Sequence, residues 1–246
     1  MPKHVIRPIP LEKSKGMTYK FTYLVGYGSP ELRVAYSWYI EGPKEKIIVD
    51  TGCEPAGLIP QPVMFPFDGK FEHIQSIEEG LGKFGLKPED IDIVILTHMH
   101  EDHIHLARKY SRARFIVQKA ELEAARNPHP VQWFTYLEDK FEDVKFEVIE
   151  GDHKIVDGIS VVLTPGHCAG GQSVVVDTAA GKAVLTGFCC IKRNFEPPPG
   201  LPTPVIVPGI LLNAVQAYDS MLKVKKMADI IIPIHDKDFM SVDKIG

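Results

Sequence analysis

The sequence predicts an α/β protein, an αββα sandwich of two mixed β-sheets packed face to face with helices outside, as a single domain over residues 1–246. Three observations support it. Short apolar runs rich in β-branched residues, broken by Gly and Pro, fall into two groups along the chain. Helical periodicity occurs beside each group, so each sheet has helices available to cover its outer face. A chain of 246 residues, 44% of them apolar, is long enough to bury the core such a sandwich needs.

Taken in order, residues 19–25, 33–40 and 46–49 read as strands. Residues 54–69 hold four prolines together with Met64, Phe65 and Phe67, which predicts a long loop that covers a site. Between 73 and 84, Ile74, Ile77, Leu81 and Phe84 share one helical face. Residues 91–96 form a buried strand, with a helix starting near Glu101. A strand at 114–118 and a helix at 119–126 follow. Consecutive strands come next, at 145–149, 161–163, 173–176 and 183–185. A Pro/Gly-rich loop at 196–209, a helix at 213–227 and a last strand at 230–234 complete the chain.

Charge and composition exclude several functions. A net charge of −4, with the signs mixed and no basic block, gives no footprint for nucleic acid. No apolar run approaches the roughly 18–20 residues that span a bilayer. Residues 1–16 lack the apolar stretch of a signal peptide, and the expectation is a cytoplasmic protein. Cys53, Cys168, Cys189 and Cys190 read as free thiols, since a chain of this size does not need disulfides. Segments 54–69 and 196–208 either line an apolar pocket for a small-molecule substrate or form a homodimer contact.

The chemistry concentrates where the strand at 91–96 runs into Thr97-His98-Met99-His100-Glu101-Asp102-His103. His98 and His100 alternate, so on extended backbone both imidazoles point the same way. Asp102 and His103 face the same cavity from the start of the helix. Imidazole and carboxylate are ligands that suit zinc, iron or manganese, and a cluster this dense has room for two ions. A solvated, His-rich turn is the plain alternative, and the strand-to-helix context argues against it.

This segment resembles the signature of the metallo-β-lactamase-like superfamily, whose members share the αββα sandwich with metals at one edge of the sheets. The resemblance extends along nearly the whole chain. Asp50-Thr51-Gly52 is similar to the family's early turn, whose aspartate orients a metal-binding histidine. Thr164-Pro165-Gly166-His167 and Pro233-Ile234-His235-Asp236 are similar to its two later histidine motifs. The resemblance implies a first metal on His98, His100 and His167 and a second on Asp102, His103 and His235. His4, His73, His105, His129 and His153 lack such context and read as surface or structural. Asn194-Phe195-Glu196, Pro208-Gly209-Ile210 and Tyr218-Asp219-Ser220 look like the N-acyl homoserine lactonase branch.

The pattern breaks at one place. Two-metal members carry a bridging aspartate after Leu-Thr-Gly, whereas here Leu185-Thr186-Gly187 leads into Phe188-Cys189-Cys190, with no carboxylate between Asp177 and Glu196. Either the Cys189 thiolate stands in as a ligand, or one metal binds tightly and a second weakly or not at all. The tyrosine that this branch places shortly after the bridge is missing as well. The expected enzyme is a lactonase-like metal-dependent hydrolase, cofactor one or two zinc ions, acting on an ester, lactone or amide carbonyl. A metal lowers the pKa of its bound water from about 16 toward 7 and polarises the carbonyl. Asp102 is the expected catalytic residue, holding the nucleophile and passing its proton to the leaving group. The alternative is a mononuclear iron oxygenase or redox enzyme on the same fold.

Overall fold

The computed structural model describes residues 3–26, 28–53, 71–132 and 135–246. The first sheet is built from Val5–Met17 (β1), Pro30–Glu41 (β2), Ile47–Val49 (β3), Glu72–His73 (β4), Ile93–Ile95 (β5), Arg114–Gln118 (β6) and Phe146–Ile149 (β7). They are ordered β4-β1-β2-β3-β5-β6-β7. The second consists of His153–Val156 (β8), Ile159–Leu163 (β9), Gln172–Thr178 (β10), Gly181–Leu185 (β11) and Ile230–Ile232 (β12), ordered β12-β11-β10-β9-β8. Both are mixed. β3, β5, β6 and β7 run parallel, and β12 lies parallel to β11 at the edge of an otherwise antiparallel sheet.

The sheets enclose one apolar layer, with Trp38, Ile40, Val49 and Ile95 facing Val161, Val174, Val176, Leu185 and Ile232. Helices Ile77–Gly82 (α1), Glu101–Ile104 (α2) and Lys119–Arg126 (α3) cover the outer face of the first sheet, where Ile77, Leu81, Ile104 and Leu122 pack on Ile48, Val94 and Val117. A short helix, Lys192–Phe195 (α4), and the long Ala214–Met227 (α5) cover the second. There Ala217, Met221 and Val224 meet Val162, Val175 and Val184. The four layers are those of the expected αββα sandwich. Among the described residues no helix is long and apolar enough to cross a membrane.

The strand expected at 19–25 does not form. A 3-10 helix, Thr18–Lys20, and a turn occupy this stretch, because the Thr22 hydroxyl bonds the carbonyls of Thr18 and Val25 and Leu24 takes a positive φ of 58°. The long strand lies earlier, in β1, where Pro8 and Pro10 disguise it. Ile6 exchanges both backbone bonds with Ile245 on the outer edge of the sheet, so Pro8 and Pro10, two and four residues on, turn their donorless nitrogens to that edge. β8 was also unforeseen. The helix expected over 73–84 starts only after Ser76, whose capping box with Glu79 fixes its first turn. The loop at 54–69 lies outside the described residues. All four cysteines are free and buried.

Trp38 is 1% exposed, packed against Tyr36 at 4.7 Å and Phe239 at 5.5 Å between ring centroids. Trp38→Ala is expected to lower the unfolding free energy by about 3–5 kcal/mol, read from the urea midpoint. A loss below about 1 kcal/mol would show that this layer repacks around the cavity.

Candidate metal centre

Six of the seven candidate ligands converge at one edge of the sandwich, where the ends of β5, β9 and β12 deliver the loops that carry them. His98, His100 and His167 form one buried group and Asp102, His103 and His235 a second, with ligand atoms inside each group all within 4.8 Å of one another. Cys189 belongs to neither. It packs with Phe21 and Ile191, and burial, reinforced by the charge of Asp102, pushes its thiol up to about 12.

The loops hold the histidines through one ring nitrogen each. Asp50, expected as an orienting residue, accepts from the Thr97 N–H, the Thr97 hydroxyl and His103 Nδ1, each at 2.7 Å. It does so from a backbone with φ of 57°, a strained conformation for a non-glycine residue that aims the carboxylate inward. The Thr97 hydroxyl gives its single proton to Asp50, so its 3.0 Å contact with His98 Nδ1 is accepted from the ring. His167 Nδ1 donates to the Ile210 carbonyl at 2.6 Å and His235 Nδ1 to the Val34 carbonyl at 3.0 Å. Four rings are thereby held with Nε2 turned into the site.

This commitment has an electrostatic consequence. The Nε2 atoms of His98 and His167 lie 3.3 Å apart, and with both Nδ1 protons assigned neither carries hydrogen. His100 Nε2 is buried with no protein partner. Two inward lone pairs this close repel each other unless a cation sits between them, and with the unpartnered His100 Nε2 alongside, the donor set fits a divalent transition metal. Burial, followed by their neighbours' charge, holds His98 and His100 well below the usual histidine range, and burial takes His167 down to about 4. All three are neutral and ready to ligate.

The second group is differently furnished. Asp102 Oδ2 lies 3.3 Å from His103 Nε2 and 3.5 Å from His235 Nε2. The same oxygen accepts from Arg33 Nη2 at 2.5 Å. Burial acts to raise Asp102, but His103 and Arg33 outweigh it and hold the carboxyl well below the usual range. Burial alone would lower His103, yet Asp102 and Asp50 push it up to about 10. Burial takes His235 down to about 3.

Sequence reasoning missed two functional residues. Arg33 reads only as the first residue of a strand. Glu121 reads as part of an ordinary helix, yet it is fully buried and ties the two histidine loops together. Its carboxylate accepts from the Met99 N–H at 3.0 Å, the Tyr136 hydroxyl at 3.1 Å and the Gly170 N–H at 2.9 Å. Tyr136 in turn packs edge-on to His100. Gly170 must be glycine, since a Cβ there would fall 2.2 Å from the Glu121 backbone nitrogen.

With this geometry in view, the chain belongs to the metallo-beta-lactamase superfamily, which its residues 30–225 match. An N-acyl homoserine lactonase of Bacillus cereus is 33% identical over 168 residues, covering 63% of this chain and 63% of that protein. The chain thus spans somewhat less than two thirds of that relative. The N-acyl homoserine lactonase AiiA of Bacillus thuringiensis subsp. kurstaki is 30% identical over 197 residues, covering 76% of this chain and 74% of its own. A solved variant of B. thuringiensis AiiA with N-decanoyl-L-homoserine at its active site has the same fold. Its TM-score is 0.77 at 24% identity, over 97% of this chain and 95% of that one.

The histidine environments set a pH dependence for the metal-free protein. His98, His100, His167 and His235 all have folded values below the ordinary 6.5, so below that pH the unfolded chain takes up protons first. Stability supplied by these rings is present above about 6.5 and lost as the pH falls toward about 4, at roughly 1.4 kcal/mol per pH unit for each ring. His103 works oppositely, its contribution being lost as pH rises through about 10. The urea midpoint of chelator-stripped protein should therefore fall steeply between pH 6.5 and 4.5. A flat profile would show that the rings are not held neutral.

Proposed function

We propose that the chain is a metal-dependent hydrolase of the lactonase type, adding water to the carbonyl of a lactone, ester or amide. The observation that carries this reading is the pair of hydrogen-free Nε2 atoms of His98 and His167, 3.3 Å apart, with the unpartnered His100 Nε2 beside them. His98, His100 and His167 are the residues that would hold the ion. Zinc suits this all-nitrogen set, and iron and manganese accept the same donors. A bound divalent ion supplies an acidified water and polarises the carbonyl.

The chain's own groups account for the protons. Asp102 stays ionised because His103 and Arg33 face it, so it accepts the proton of an attacking water. The same low affinity makes it release that proton to the leaving alkoxide, a far stronger base. Asp50 keeps His103 in place behind it. Cys189 packs with Phe21 and Ile191 and belongs to neither group of candidate ligands.

The relatives' names support lactones as the substrate class, and N-acyl homoserine lactones are the compounds to test first. The assisting tyrosine of that branch has no equivalent here: the matching stretch Cys190-Ile191-Lys192 carries no phenol, and Cys190 is buried against the Thr186 hydroxyl. The iron-oxygenase alternative draws nothing from the relatives named above, which are lactonases.

Replacing both His98 and His100 with Ala is expected to abolish metal content and ring opening together, measured by elemental analysis and pH-stat titration. Full metal retention in that double variant overturns the assignment. Asp102→Asn should keep the ion but lower turnover by about 10²–10⁴-fold. Unchanged turnover would remove Asp102 from the proton path.

A further inference from the structure

The two ligand groups differ in what already neutralises them. The first holds three neutral imidazoles and no carboxylate, while the second contains Asp102, already bonded to a cation. Arg33 is delivered to that place by a long-range contact. Val34, the next residue, donates its N–H to the His235 carbonyl at 3.2 Å and accepts from His235 Nδ1 at 3.0 Å. The arginine that precedes it is thereby set against the second group.

From there Nη2 donates to Asp102 Oδ2, and Nη1 reaches Glu12 Oε1 at 3.4 Å. Glu12 is itself fully buried, and Cys53 donates to its other oxygen at 3.4 Å. The guanidinium thus lies between two inward carboxylates, with its side chain 17% exposed. The oxygen it occupies is the one that faces both His103 Nε2 and His235 Nε2, at 3.3 Å and 3.5 Å. His103 Nδ1 bonds Asp50 at 2.7 Å, and its Nε2, which makes no hydrogen bond, lies 3.3 Å from the same Asp102 oxygen. Among the described residues no ligand-type side chain belongs to both groups, so nothing couples a second ion to the first.

We propose that Arg33 takes the place of a second metal: its guanidinium neutralises Asp102, and the chain holds one divalent ion, on His98, His100 and His167. Arg33 is then a positioning residue that acts through Asp102, keeping it ionised and aimed. The inference rests on the metal-dependent reading above and narrows it to a single-ion site.

Metal stoichiometry tests it without any substrate. Wild type, Arg33→Lys, Arg33→Met and Asp102→Asn are stripped with chelator, reloaded with excess zinc and gel-filtered, and the zinc per chain is counted. The expected result is one ion in wild type, in Arg33→Lys and in Asp102→Asn, and two in Arg33→Met. Two ions in wild type, falling to one in Asp102→Asn, overturn the inference, since Asp102 would then ligate beside Arg33. A soluble Arg33→Met protein that still holds one ion overturns the role given to the guanidinium. Should Arg33→Met fail to fold, wild type and Asp102→Asn decide the question, because both keep Arg33. No zinc in reloaded wild type is a different failure, which removes the metal-dependent reading itself.

Discussion

The site depends on where four imidazole protons go. Thr97, Asp50, the Ile210 carbonyl and the Val34 carbonyl each fix one Nδ1 hydrogen, and each acceptor belongs to a different stretch of backbone. That choice empties Nε2 of hydrogen in His98, His167 and His235 and turns their lone pairs inward. A buried polar group without a partner costs on the order of 1–3 kcal/mol, so the facing Nε2 atoms of His98 and His167, with that of His100 beside them, form a standing demand for a cation. Affinity for metal is in this sense written into hydrogen bonds that never touch the metal.

Holding those acceptors in register requires the two sheets to be locked at this edge. Gln172, at the start of β10, donates its backbone N–H to the Thr97 carbonyl and its side-chain amide to the Leu96 carbonyl, while its own amide oxygen accepts from Gln118 on β6. Glu121 does the same between the Met99 and Gly170 loops. A carboxylate in a fully buried position is tolerable only when its oxygens are satisfied, and three donors achieve that here. These side chains bear no resemblance to ligands, yet the spacing of the histidines is theirs to keep.

What was legible in the sequence follows from how local each feature is. The His98–His103 cluster, the Asp-Thr-Gly turn and the two later histidine motifs lie within a few residues of a strand end, so alternation and turn chemistry expose them. The strand at 114–118 and the helix at 119–126 were read to the residue, since periodicity there is uninterrupted. β1 was hidden because Pro8 and Pro10 are ruinous in a central strand and harmless only where their nitrogens face an open edge, which sequence does not reveal. The error at 19–25 is the converse: aromatic and β-branched residues suit a strand, but the Thr22 hydroxyl offers the backbone a competing partner. Arg33 and Glu121 were invisible as site residues because their partners lie far along the chain, with Asp102 69 positions from Arg33, and Tyr136, Met99 and Gly170 15, 22 and 49 from Glu121. Only the folded register brings them in.

The missing bridging aspartate and the incoming arginine are two sides of one charge balance. A carboxylate shared by two ions lowers their mutual repulsion, and this chain has Phe188, Cys189 and Cys190 where that group would lie. Without it, a doubly charged ion beside Asp102 would also face the Arg33 guanidinium. At a separation near 4 Å and an effective dielectric of about 20, that repulsion is on the order of 8 kcal/mol before Asp102 offsets part of it. A guanidinium brings a single fixed charge, needs no ligands beyond the two carboxylates already present, and stays protonated because Asp102 and Glu12 more than offset its burial. It also donates along defined directions, which an ion does not. Asp102 is therefore kept anionic and oriented by the protein alone, so its proton-transfer geometry does not depend on how fully a second metal is supplied.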